Sequence, residues 1–323
     1  MTCCSRKNRA GRAAQRYHLT NDAAIERHMD VVMREAIYNT AWGLSIRARN
    51  QIKRLGILGP LEPIALKLVP LLIRPPSTDV EIALPGGLRM IVPAGYPAAR
   101  SIVAGLYEQD VTRLFNGLVR EGMGVADLGA NLGYYTLLAS RIVGESGYVY
   151  AFEPDPTAYA YLKGNIELNG CCNVLAVRQA ISDTNGMMNF MRDPQGAEGF
   201  LTREVRVERS IAVETISLDS FFAGQGWPAI NAIKMDVEGS ERAALIGMSE
   251  LRRRNPELKL IMEFNRGALQ RAGVPPGSLA TILVELGFHH GQIIEQGLKS
   301  FSVTHAFPRS RATHNLLLQR DAQ

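Results

Sequence analysis

The chain has 323 residues, 46% of them apolar, and a formal net charge of +5. That length buries a full core as one large domain or two smaller ones, and the apolar fraction is ordinary for a globular protein. The charge is uneven: residues 1–54 carry 11 Lys/Arg against 4 Asp/Glu, while the remainder is close to balanced. The basic character therefore belongs to the N-terminal segment.

That segment carries Arg6, Lys7, Arg9, Arg12 and Arg16 with no apolar stretch behind them, so it lacks the centre of a signal peptide. Leu61 to Ile73 is apolar, but Pro63, Pro70 and Lys67 interrupt it, and it is too short to span a bilayer. A cytoplasmic location is the expectation. A solvated basic tail is expected for residues 1–20, with peripheral contact to an acidic membrane as the alternative. The cysteines come as two adjacent pairs, Cys3-Cys4 and Cys171-Cys172. Neither pair has zinc-site spacing, and free thiols in a reducing compartment are expected.

In chain order, Ile25, Met29, Val32, Met33, Ile37 and Leu44 recur at helical intervals and predict one or two amphipathic helices between Asp22 and Leu55. Prolines from Pro60 to Pro76 mark a linker. Residues 1–76 thus read as basic tail, helical extension and linker, and residues 77–323 as the functional domain. Val80–Leu84, Pro85-Gly86-Gly87 and Leu88–Val92 predict a β-hairpin. A helix is expected from Tyr107 to Arg120.

Strand and helix then alternate. Strands are expected at Val125–Leu128, Tyr148–Phe152 and Val174–Gln179, with helices at Tyr134–Val143 and Thr157–Asn169 between them. This pattern argues for an α/β fold, a parallel sheet with helices on both faces. Met187–Met191 and Val205–Val213 interrupt it as two further strands, followed by a short helix at Leu218–Phe222. Ala229–Met235 and Leu258–Phe264 then read as strands, Ser240–Met248 and Leu279–Leu286 as helices, and residues 288–318 as the last strands.

The chemistry concentrates where apolar runs end in acids. Val125 to Leu128 contains Asp127 and leads into the turn Gly129-Ala130-Asn131-Leu132-Gly133. The next run, Tyr148 to Phe152, ends in Glu153. In an open α/β sheet these strand ends form the ligand crevice. The turn lacks the triple-glycine pattern of dinucleotide sites, and Asp127 would repel a pyrophosphate. Beside a sulfonium and an α-amino group the same charge is favourable. The cofactor expected is S-adenosyl-L-methionine. Gly129, Ala130 and Gly133 form its backbone approach, Asn131 is expected to cap the following helix and offer its amide to the methionine carboxylate, and Tyr134 and Thr136 add contacts. Glu153 is expected to accept from both ribose hydroxyls. Asp183 or the backbone near Ala180 is expected at the adenine edge, although Ser182 to Gly186 also suits a plain turn.

The reaction half follows. Ile233-Lys234-Met235-Asp236-Val237-Glu238-Gly239 is an apolar strand that closes on two acids. A buried Lys234 needs an anion, which Asp236 or Asp127 supplies. Asp236 or Glu238 is expected to orient or deprotonate an acceptor hydroxyl, with Lys234 beside them. Helix capping alone also accounts for Glu238 or Glu241. Glu263, at the end of the next strand, is a candidate substrate contact. His289-His290 offers another base, although adjacent histidines at a strand start are usually structural. Asp236, Glu238 and Glu263 are also oxygen ligands for a hard cation; a metal-free site is the expectation.

Four blocks in order resemble the FkbM-type methyltransferases: Asp127 to Thr136, Phe152-Glu153-Pro154, Asn165 to Asn169, and Lys234 to Glu241. Tyr107-Glu108 is similar to the family's opening segment, and the likeness covers about residues 107–265. The resemblance implies a Rossmann-like class I methyltransferase fold, a seven-stranded sheet with the last strand antiparallel. It also implies S-adenosyl-L-methionine as methyl donor and O-methylation as the usual activity, on sugars of glycans or on natural-product hydroxyls. The partner expected is therefore a small-molecule or glycan acceptor. Two alternatives stand beside it. An RNA acceptor would use the basic N-terminus, which lacks interleaved aromatic residues. A non-enzymatic scaffold is disfavoured because both strand-end acids are intact. The sequence leaves the oligomeric state open.

Overall fold

The computed structural model describes residues 78–103, 105–192, 199–202, 210–304 and 312–320. All belong to the compact unit Arg74–Gln323. The basic tail, the N-terminal helices and the linker lie outside the described residues.

The predicted hairpin forms from β1 (Val80–Ala83) and β2 (Arg89–Val92), with Val80 opposite Val92. A short helix α1 (Ala99–Val103) and the amphipathic α2 (Gln109–Leu118) follow. The α/β body then runs β3 (Gly124–Leu128), α3 (Tyr134–Val143), β4 (Tyr148–Phe152), α4 (Pro156–Leu168) and β5 (Val174–Val177). Local signals explain these boundaries. Gly133 and Gly144 flank α3 with positive φ, which suits residues without a Cβ. Asp155 caps α4, accepting from the Thr157 and Ala158 amides, and Pro156 opens it where no amide is needed.

The remaining body elements are α5 (Leu218–Gly224), β10 (Ala232–Met235), α6 (Glu241–Ile246), α7 (Ser249–Arg254), β11 (Lys259–Phe264), α8 (Arg266–Arg271), α9 (Gly277–Glu285), β12 (His290–Ile293), β13 (Lys299–Ser302) and β14 (His314–Leu318). The main sheet has the order β13-β12-β14-β11-β10-β3-β4-β5. From β5 to β11 neighbours are parallel, and β14 is antiparallel to both its neighbours. Eight strands replace the expected seven. The addition is β13, which folds back on the edge strand β12 after a turn through Gly297 and Leu298. Residues 288–318 read in sequence as strands without a count, because a hairpin at an edge has no periodicity of its own.

Side chains alternate across this sheet and bury two faces. Ala126 and Leu128 join the core that contains Leu218, Phe222, Ala244 and Leu245. Asp127, between them, points to the other face and meets Thr136 of α3. Helices therefore cover both faces, as expected.

The insertion is a separate four-stranded sheet of order β6-β9-β7-β8, formed by β6 (Ala180–Ile181), β7 (Gly186–Arg192), β8 (Gly199–Thr202) and β9 (Ser210–Ile216). Its own small core is Ala180, Phe190, Leu201 and Val213. Two of these strands were legible in the sequence. Of the predicted segment Val205–Val213, residues 205–209 lie outside the described residues, and β9 runs from Ser210 past Val213 to Ile216. β6 and β8 are too short to carry an alternation signal.

Candidate active site

The strand order reverses between β3 and β10. From β3 the chain runs outward through β4 and β5, then returns to the other side of β3. Open α/β sheets bind ligands at such a point, beyond the carboxyl ends of the strands. The register fixes what arrives there. Leu128 pairs with Phe152 and with Met235, and Met235 pairs with Met262. The next residue on each strand is Gly129, Glu153, Asp236 and Glu263. Four separate segments thus deliver their functional residue at one level.

A cavity of about 400 Å³ opens at this level, within the usual range for small-molecule sites. Asp127, Gly129, Ala130, Asn131, Tyr134, Glu153, Lys234, Asp236, Glu238 and Glu263 all line it. Gly133, just behind, begins α3. Asp183 does not line it. That residue is exposed in the turn between β6 and β7, bonded by the Ser182 and Thr184 hydroxyls. Gln179, Ala180 and Ile181 reach the cleft instead, because β6 diverts the chain into the second sheet before Asp183. His289 and His290 are exposed and outside the cleft.

The turn after β3 is built around one carbonyl and one carboxylate. The Gly129 and Ala130 amides both donate to Phe152 O, at 2.9 Å each. Glu153 Oε2 accepts from the Asn131 amide at 2.9 Å, and Oε1 accepts from the Asp155 amide at 2.8 Å. Asn131 therefore does not cap α3 with its side chain, as the sequence suggested. Gly133 occupies the cap position without a side-chain bond, and Asn131 gives its backbone to Glu153. Gly129, Asn131 and Gly133 all have positive φ, so the turn coils tightly enough to bring these amides together. Burial raises Glu153 to about 7, against the opposing pull of its two backbone bonds. Burial likewise raises Asp127 to about 6, although Thr136 Oγ1 donates to it at 2.6 Å.

On the reaction side Lys234 is only 1% exposed. Its Nζ lies 3.4 Å from Asp236 Oδ2 and 5.3 Å from the centre of the Tyr135 ring. Burial alone would discharge it. Asp236, Glu108, Glu263 and Asp127 outweigh that cost and hold the ammonium above its ordinary range. Burial raises Glu263 to about 9, with repulsion from Asp236 adding to the effect. Glu238 sits at φ 45° and approaches Arg271 at 3.7 Å.

Removing the ammonium leaves buried carboxylates without a counter-charge. Lys234→Met is expected to lower stability by about 3 kcal/mol at pH 8. The deficit is expected to shrink at pH 5, because the orphaned carboxylates then bind protons in the folded state. Urea titrations at the two pH values check this; an unchanged midpoint at pH 8 contradicts it.

Sequence reasoning missed three contributors. Glu108, at φ 39° before α2, accepts from Tyr135 Oη at 2.6 Å and lines the cleft. Its signal was only its place in the opening segment. Asn165 is fully buried on α4; it accepts from the Ile91 amide at 2.7 Å and donates to Ile91 O and to Leu132 O. Asn169 pairs the same way with the Arg89 backbone. These amides act as a stretch of strand edge, tying the hairpin and the cofactor turn to α4. Both asparagines stood in a recognised block, but without a role.

This strand order, with acids at the reversal, defines a class I methyltransferase architecture. Residues 127–295 match the methyltransferase FkbM domain, and the chain belongs to that family. A curated relative, the hexuronic acid methyltransferase AglP of Haloferax volcanii, is 33% identical over 142 residues. That match covers 44% of this chain and 56% of the relative, so the chain spans just over half of that protein's length. Among solved structures, methyltransferase FkbM from Methylobacillus flagellatus aligns at 14% identity and a TM-score of 0.39, over 68% of this chain and 54% of that one. A SAM-dependent methyltransferase from Aquifex aeolicus aligns at 18% identity and 0.37, over 66% and 88%. The expected family and fold class are borne out. Among the described residues no helix is long and apolar enough to cross a membrane.

Proposed function

We propose that the chain transfers a methyl group from S-adenosyl-L-methionine to a sugar hydroxyl. The observation that carries this reading is the placement of Asp127 and Glu153 at adjacent strand ends around a tightly coiled glycine turn. The donor set suits the cofactor: Glu153 for the ribose hydroxyls, Asp127 for the cationic end, and the start of α3 for the methionine carboxylate. Tyr134 packs edge-on against Tyr107, with ring centres 5.0 Å apart, and walls the same side. Gln179 to Ile181 stand at the far end for adenine. When bound, the cofactor supplies a methyl group already activated by its positively charged sulfur.

The protein's task is then alignment and proton removal. Asp236 is the base in this reading. It is level with Gly129 across the β3–β10 pair, and its amide donates to Leu128 O at 2.9 Å, so its position is fixed by the sheet. The Lys234 ammonium faces it at 3.4 Å. Glu263 retains its proton near neutrality and donates a hydrogen bond to the acceptor oxygen. Glu238 belongs to the rim, held by Arg271. Because an ammonium already faces Asp236, the reading remains metal-free. A sugar acceptor is supported by the likeness to the hexuronic acid methyltransferase of Haloferax volcanii. A cytoplasmic location and membrane contact through the N-terminal segment remain part of the proposal.

Calorimetry with S-adenosyl-L-methionine, followed by transfer of labelled methyl to a sugar acceptor, tests this; no binding rejects it. The titrating acids add a sharper expectation. A cationic ligand favours ionised Asp127 and Glu153, whose values are raised to about 6 and about 7. Affinity should therefore rise with pH, by roughly tenfold between about pH 5.5 and 7.5. In Asp127→Asn the slope should flatten. Tighter binding at the acid end would contradict the assignment.

A further inference from the structure

Resting on the methyltransferase reading, the charge of the cleft wall narrows the class of acceptor. Glu108, Asp236 and Glu263 each offer a carboxylate oxygen, all within 4.8 Å of one another. Among the described residues that line the cleft, seven carboxylates face two basic side chains. Each of these bases already faces a carboxylate. Lys234 is committed to Asp236, and Arg192 is bonded to Asp155.

Among the described residues that line this wall, no further base stands to meet an acceptor's own carboxylate. Burying an unpaired charge among like charges is costly. A neutral sugar instead brings hydroxyl donors, which carboxylates accept strongly. The spacing fits: a hydroxyl slightly off the line between two of these oxygens lies about 2.7 Å from both. A protonated Glu263 donates to that oxygen while Asp236 accepts from it, so both sides of one hydroxyl are satisfied.

We propose that the acceptor is an uncharged sugar unit held through its hydroxyls by Glu108, Asp236 and Glu263, and that Glu108 and Asp236 exclude a uronate. Glu108 thereby becomes the residue that selects the acceptor. This selectivity separates the chain from the hexuronic acid methyltransferase that it resembles.

The test uses full-length protein saturated with S-adenosylhomocysteine, whose binding is measured first. Methyl glucoside, galactoside and mannoside are each titrated against the matching methyl uronide by calorimetry at pH 7.5. The neutral member of at least one pair should bind about tenfold more tightly than its uronide. Glu108→Gln should narrow that ratio severalfold by weakening the rejection of the uronide. Equal or tighter binding of the uronides overturns the proposal, and so does binding of neither member of any pair. Failure to bind S-adenosylhomocysteine would instead strike the methyltransferase reading itself.

Discussion

Gly129→Ala is expected to abolish measurable S-adenosyl-L-methionine binding and to destabilise the fold. Gly129 has φ +79°, a conformation that costs alanine about 1–2 kcal/mol. The larger effect is steric. A Cβ there would sit 1.8 Å from the carbonyl oxygen of Asp236. That oxygen is backbone, in a residue whose amide is held to Leu128 O across the β3–β10 pair. The two strands must separate at the point where the cofactor turn and the reactive acid meet. A total loss of at least ~3 kcal/mol is expected, the size of a severe core lesion. For a domain of this size it would lower Tm by roughly 6–12 °C. Calorimetric melting and ligand titration read both effects. A variant with wild-type Tm and cofactor affinity would show that β10 does not crowd the turn.

Asp236→Asn separates binding from chemistry. The side chain is isosteric, so the strand end and its backbone bond to Leu128 should persist. What disappears is the acceptor for the hydroxyl proton and the counter-charge of Lys234. Loss of a general base typically costs ~10²–10⁴-fold in rate. We expect kcat to fall by about 10³-fold in that range, with cofactor affinity changed less than about fivefold. Single-turnover methyl transfer with saturating cofactor checks it. A fall confined to cofactor affinity would move Asp236 from the reaction to the binding side. Glu238→Gln is the companion measurement: paired with Arg271 at the rim, it should lose far less rate.

The sequence by itself determined the elements whose signals are local. Val125–Leu128 is an apolar run interrupted only by Asp127, Tyr148–Phe152 runs into Glu153, and Gly129 and Gly133 mark the turn because only such residues coil there freely. The helix over Tyr134–Val143 and the strand Tyr148–Phe152 fall where the pattern puts them. The four strand-end residues Asp127, Glu153, Asp236 and Glu263 were each visible for the same reason. Their convergence was not. It depends on which strands pair and in what register, and pairing over a hundred residues leaves no periodicity in either partner.

Tertiary structure alone decided the rest. It brought Glu108 from before α2 to within reach of Asp236 and Glu263, and gave Tyr135 to Glu108 as a hydrogen-bond donor. It turned Asn131 from an expected helix cap into a backbone donor for Glu153, because the coiled turn faces its amide toward β4. It carried Asp183 out of the cleft by starting a second sheet three residues earlier. The physical reason is common to all three. A side chain's type is fixed by the gene, but its protonation, partner and exposure are set by neighbours that only folding supplies.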